Sequence, residues 1–137
     1  MGLDVGVQRT GIAICEPAGL LARSLTIIEN RQWSAQVARI ADLVIAHEVG
    51  TIVIGYPLHM SGDAGQQARR VDRFADLLAD ALQRRGWAAE LVFWDERLST
   101  ARAQELRRDA GQSRRARLDA AAAAVILQDY LDHAPRG

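Results

Sequence analysis

Apolar and polar positions along this chain follow two rhythms, and the switches between them predict its elements. Leu3 to Val7 and Thr10 to Glu16 are short apolar runs joined by Gly6-Val7-Gln8-Arg9, the pattern of a β-hairpin, with Gly2, Gly6 and Gly11 where strands begin, turn or meet a ligand. After Pro17-Ala-Gly19 the run Leu20 to Ile28 predicts a third strand. The period then lengthens: Val37, Ile40, Ala41, Val44 and Ile45 recur at helical spacing, and Gly50 is the expected stop. Thr51 to Ile54 is β-branched and apolar throughout, as expected of a strand covered on both faces. Ala68, Val71, Ala75, Leu78 and Leu82 form one stripe of a second helix, closed by Gly86, and Glu90 to Trp94 is a further buried strand. Ser99-Thr100 is placed to cap a polar helix through about Arg108, a basic loop runs from Asp109 to Arg117, and a last helix spans Leu118 to about His133. The order β-β-β-α-β-α-β-α-α implies an α/β fold with a five-stranded mixed sheet, three antiparallel strands followed by parallel ones, flanked by helices on both faces.

A length of 137 residues, 49% hydrophobic and 25% charged, fits a single domain over 1–137 with one continuous core. No apolar stretch is long enough to span a membrane, and the chain opens on a strand-like run, so the expectation is a cytoplasmic protein without a membrane partner. Cys15, the sole cysteine, cannot form an internal disulfide and reads as core packing. His47, His59 and His133 lack ligand spacing, which argues against zinc. Trp33, Trp87 and Trp94 read as packing residues.

Formal charge is zero, so the chain lacks the overall basic signature of a nucleic-acid coat protein, and any binding to nucleic acid must be local. All 17 basic residues are arginine, which suits bidentate phosphate contacts. They gather at Arg69, Arg70 and Arg73, at Arg84 and Arg85, and at Arg107, Arg108, Arg114, Arg115 and Arg117. Solvated helix faces in an arginine-rich composition are the plainer account of these clusters.

Three acids stand in apolar surroundings: Asp4 in the first strand, Glu96 after Asp95 at the end of Leu91-Val-Phe-Trp94, and Asp119 at the start of the last helix. Structural accounts exist for each: a turn cap for Asp4, a strand-end ion pair with Arg97 for Glu96, and an N-cap or first-turn position for Asp119. If the three converge, unit charges about 4 Å apart repel by roughly 4 kcal/mol at an effective dielectric near 20. A divalent metal ion resolves that repulsion and suits phosphate chemistry.

Four fragments in order, Asp4-Val-Gly6 with Arg9-Thr-Gly11, Gly55-Tyr-Pro-Leu58 with Gly62, Trp94-Asp-Glu-Arg-Leu-Ser-Thr100, and Leu118-Asp-Ala-Ala-Ala with Ile126-Leu-Gln-Asp-Tyr-Leu131, resemble the YqgF/RuvX family over nearly the whole chain. Gln8 stands where that family usually has lysine, and Tyr56 where leucine is commoner. The resemblance implies a ribonuclease H-like fold and a metal-dependent nuclease that processes the 5′ end of pre-16S ribosomal RNA, resolves Holliday junctions, or does both. It implies Asp4, Glu96 and Asp119 as catalytic, metal-binding acids holding two Mg²⁺ or Mn²⁺ ions, Asp4 bridging them and the other two each holding one side. Arg9, Arg97, Arg114, Arg115 and Arg117 are the implied contacts to a structured RNA or branched DNA. Two other classes compete. Asp4-Val-Gly6 followed by Gly11 also resembles the phosphate loop of actin-like ATPases, although the chain is short for two such lobes, and a non-catalytic nucleic-acid-binding module is the third reading. Oligomeric state stays open, with a homodimer among the options.

Overall fold

The computed structural model describes residues 1–57, 63–95 and 115–133, with side chains for all of these except 63, 64, 95 and 115–120. Five strands form one sheet: β1 (Gly2–Val5), β2 (Arg9–Cys15), β3 (Ala22–Glu29), β4 (Thr51–Tyr56) and β5 (Glu90–Asp95), in the spatial order β3-β2-β1-β4-β5. β1 pairs antiparallel with β2 and β2 with β3, whereas β4 runs parallel to β1 and β5 parallel to β4. This is the expected mixed sheet. The hairpin turn needs glycine at position 6, because a Cβ there would lie 2.5 Å from the Arg9 carbonyl oxygen.

Alternation along β1 divides the molecule into two layers. Met1, Leu3 and Val5 join Ile12, Ile52 and Ile54 in a core shared with α1 (Trp33–Ala46) and α2 (Asp63–Arg84), through Val37, Ile40, Val44, Val71, Phe74 and Leu78. Two polar side chains in this layer satisfy each other. Thr10 Oγ1 donates to Gln36 Oε1 at 2.7 Å, and Gln36 Nε2 donates to the Asn30 carbonyl at 2.6 Å, which removes the penalty of burying them bare. On the other face, Ala13 and Val53 pack against Ala123, Ile126 and Leu127 of α3 (Arg115–His133). Cys15 is half-buried against this second cluster.

Helix ends show where local signals succeed and fail. α2 stops at Gly86, whose φ is 71°, with Gly86 N–H bonded to the Gln83 carbonyl and Trp87 N–H to the Leu82 carbonyl. α1 closes with the same bond pattern, Glu48 to Ile45 and Val49 to Val44, but the left-handed position is taken by Glu48 at φ 53°. Gly50, the expected stop, lies two residues beyond it. β3 begins at Ala22 rather than Leu20, leaving Leu20 and Leu21 exposed. The last helix begins at Arg115 rather than Leu118, so Arg115 and Arg117 belong to its first turn and not to a loop. The helix expected at Ser99 to Arg108, the greater part of the basic loop before Arg115, and His59 lie outside the described residues. Among the described residues no helix is long and apolar enough to cross a membrane.

Candidate active site

Asp4 sits inside β1, opposite Gly11 of β2, which excludes the turn-cap account. Its place on the sheet follows from its neighbours. Leu3 faces the α1/α2 layer, so Asp4, like Gly2, belongs to the α3 face. On β4 the Leu3–Ile54 pair is followed by Gly55, which in turn pairs with Trp94 of β5. A half-buried carboxylate thus lies in a row between two glycines, Gly11 and Gly55, with no side chain beside it from either adjacent strand. The row leaves room for a ligand to approach Asp4 from the α3 face.

Gly2 fixes the height of α3 over that row. A Cβ on Gly2 would lie 2.7 Å from Leu127 Cβ and 2.8 Å from the Ala123 carbonyl oxygen, so helix and strand touch backbone to backbone. At the other end of the contact, Gln128 accepts a bond from Ala22 N–H at 2.9 Å and donates to the Leu20 carbonyl at 3.0 Å. The C-terminal half of α3 therefore covers the end of the sheet where β1 starts, and the helix runs back toward the end where β1 finishes. Asp119 is one helical turn before Ala123, a rise of about 6 Å, and Asp4 is two strand residues past Gly2, roughly 6.6 Å. The register thus brings the helix position of Asp119 toward the Asp4 end of β1. The helix begins four residues earlier, with no acid in its first turn, so Asp119 is in the second turn and is not a cap.

Arg9 opens β2 on the same face and at the same end as Asp4, two residues from Gly11. Its ion pair with Glu29, at 3.6 Å and with both partners solvent-accessible, contributes only about 0–1 kcal/mol. Glu96 follows the last residue of β5 and, with Arg97 and Arg114, lies outside the described residues; Arg115, Arg117 and Asp119 are located by helix position alone. Among the described residues no group of three potential metal-ligating side chains occurs.

One buried acid escaped the sequence reading. Asp129, 4% exposed, accepts a bond from Trp94 Nε1 at 2.6 Å, and His133 Nδ1 lies 3.2 Å from its other oxygen. Trp94 also meets Tyr130 edge to face, so this network ties the strand that leads to Glu96 to the helix that carries Asp119. In the sequence Asp129 is one of several polar residues after Leu127, beside Gln128, Asp132 and His133, so nothing there singled it out. Gln67 of α2 braces the same region from the opposite layer, donating to the Val5 carbonyl at 3.1 Å. A cavity of about 700 Å³ lies at the other end of the sheet, lined by Met1, Cys15, Thr51, Tyr130 and others, and none of the expected site residues lines it.

Known proteins share both the fold and the sequence. The Thermus thermophilus RuvC structure in complex with a Holliday junction substrate superposes with a TM-score of 0.59 at 13% identity, covering 95% of this chain and 91% of that one, which establishes a RuvC-like, ribonuclease H-like fold. A relative from Syntrophus aciditrophicus (strain SB), named "Putative pre-16S rRNA nuclease", is 42% identical over 135 residues, spanning 96% of this chain and 87% of the relative. One of the same name from Anaeromyxobacter sp. (strain Fw109-5) is 44% identical over 135 residues, spanning 96% and 95%. The family model described as "RuvX: Holliday junction resolvase" matches residues 1–133. This chain belongs to the RuvX family of nucleases.

Proposed function

We propose that this protein is a divalent-metal-dependent nuclease that hydrolyses phosphodiester bonds in structured nucleic acid, with the 5′ end of pre-16S ribosomal RNA as its substrate. The observation that carries the reading is the placement of Asp4 in mid-strand between Gly11 and Gly55, under a helix whose register brings Asp119 toward it. Glu96, two residues beyond Trp94 of the same sheet row, is the third acid of the proposed set. Carboxylate oxygens are the donors that Mg²⁺ and Mn²⁺ prefer, so the residues fit the ions. When bound, such ions supply an activated water and stabilise the leaving oxygen. The chain itself carries Asp4 on a strand and Asp119 on a helix, presents Arg9 to the substrate phosphate, and offers Arg97, Arg114, Arg115 and Arg117 as further phosphate contacts. The cytoplasm is the compartment this reading requires.

Relatives named for pre-16S rRNA support the RNA substrate, while the family description and the RuvC complex support a branched DNA as the second reading. Side-by-side cleavage of a pre-16S fragment and a Holliday junction, with Mg²⁺ or Mn²⁺, decides between them. Faster turnover of the RNA is the expected result. Preference for the junction reverses the order, and cleavage of neither under any divalent ion sinks the nuclease reading.

A further inference from the structure

Gln66, Arg69, Arg70 and Arg73 form one stripe of α2, and Trp33, the first residue of α1, completes an open cleft of about 420 Å³ with them. All three arginines are exposed. Arg84 is paired with Asp80 at 3.0 Å and Arg85 with Asp42 at 3.4 Å, but among the described residues no ion pair involves Arg69, Arg70 or Arg73, nor the single arginine Arg39 of α1. Asp72, the acid between them in sequence, accepts a bond from the Tyr56 hydroxyl at 3.2 Å. The cleft thus concentrates positive charge in a chain whose formal charge is zero.

Trp33 is held as a platform. Its ring meets Phe74 edge to face, with centroids 5.6 Å apart and planes at 84°, and Nε1 donates to the Val7 carbonyl at 3.2 Å. The indole is half-buried and anchored at both edge and nitrogen, so it can offer a face without losing rotamer freedom on binding. Its anchor, Val7, is three residues past Asp4, and Gln67 of the arginine helix is anchored on Val5. The cleft therefore opens at the same end of the sheet as Asp4, on the opposite face, across the β1–β2 turn.

We infer that this cleft is a second nucleic-acid subsite, in which a single-stranded stretch flanking the cleaved bond lays its phosphates on Arg69, Arg70 and Arg73 and stacks a base on Trp33. Arginines beside an anchored aromatic are the combination that single strands favour: the charge tracks the backbone and the ring accepts any base. The inference rests on the nuclease reading for the identity of its ligand.

The test measures binding by the full chain carrying Asp4→Asn, so that cleavage does not intervene, to a labelled duplex with and without a single-stranded tail, prepared both as RNA and as DNA. The tail should tighten binding. In the Arg69→Gln/Arg70→Gln/Arg73→Gln variant that advantage should disappear, and the slope of log affinity against log salt for the tailed duplex should fall by about 2, at roughly 0.7 for each lost single-strand phosphate contact. Trp33→Ala should weaken tailed binding roughly 5- to 150-fold, the range for one stacked base, and Trp33→Phe should restore most of it. Because Trp33 also packs on Phe74, the exposed arginines carry the decision, and their variant should melt with the parent. Unchanged affinity and slope in the arginine variant overturn the inference. So does equal displacement of the tail by polyglutamate, which would make the cleft a site for an acidic protein segment. Cleavage by the unsubstituted chain with Mg²⁺ or Mn²⁺ is measured separately: its absence, with tail-dependent binding intact, defeats the nuclease reading and leaves the subsite standing.

Discussion

Aspartate is depleted in strands, and Asp4 occupies the third position of a four-residue strand whose other side chains are buried or absent. Such a placement is unusual enough to need a reason, and the glycines at 11 and 55 set no side chain beside it from the adjacent strands. Asp119 loses its bland explanation once the helix is seen to start at Arg115. Asp4→Asn, Glu96→Gln and Asp119→Asn should each abolish cleavage while leaving the fold intact. Loss of a cap would lower stability by about 0.5–2 kcal/mol, so Asp119→Ala, which no longer removes a cap, should melt within a few tenths of that cost from the parent. A full cap-sized drop would return Asp119 to a structural role, and full activity in any of the three acid variants would remove that residue from the site. Tyr56 gives a pH prediction. Burial, then the hydrogen bond to Asp72 and its negative charge, push the Tyr56 phenol above its ordinary value. The folded chain keeps that proton where the unfolded chain has lost it, so the contribution is complete below about pH 10 and is lost as pH rises through the folded value. With no lysine in the chain, few other groups titrate there. Tyr56→Phe should flatten the alkaline fall in stability, as followed by urea unfolding between pH 9 and 11; an unchanged slope would show that the phenol is not coupled to folding.

At the scale of elements, the contact between β1 and α3 sets the height of the helix over the strand of Asp4. Gly2→Ala would force its Cβ against Leu127 and the Ala123 carbonyl, and neither can rotate away because both contacts are to the helix itself. The variant should lose about 1–3 kcal/mol, the usual cost of overpacking, and should also bind divalent ions more weakly because the helix of Asp119 is lifted from the strand of Asp4. Calorimetry on the folded variant separates the two effects; normal ion affinity beside lost stability would disconnect α3 from the site. The same contact shows what the sequence could and could not disclose. α2 was legible because its apolar stripe and Gly86 agree. The end of α1 was not, since a left-handed Glu48 leaves no mark where glycine would, and the start of α3 was hidden because arginines in its first turn look like loop. Asp4 and Asp119 were visible as acids in apolar runs, but their approach depends on which face of β1 the helix covers, a matter of register. Trp33 and Arg69 to Arg73 were both noticed singly. Their separation in the chain hid the cleft they share.

For the whole molecule, the parallel strands β1, β4 and β5 end at one edge of the sheet, and β2 begins there with Arg9. This topology puts Asp4, Arg9 and the end of the strand that precedes Glu96 at one end while the formal charge remains zero, so any affinity for nucleic acid must come from local fields. The proposed set of three carboxylates would cost folding energy that a cation returns, coupling stability to metal. Mg²⁺ or Mn²⁺ should raise the melting temperature by mass action, by about 2.7 kcal/mol at 100 times the dissociation constant, or roughly 10 °C for a domain of this size. Neutralising any one acid should reverse the pattern: the metal-free variant should melt at or above the parent, since repulsion is relieved, and its response to metal should shrink. Differential scanning calorimetry of the parent and the three acid variants, with and without each ion and with chelator as control, reads both effects together. A melting temperature indifferent to both ions, in the presence of nucleic acid as well as in its absence, would mean that the acids do not form a metal site.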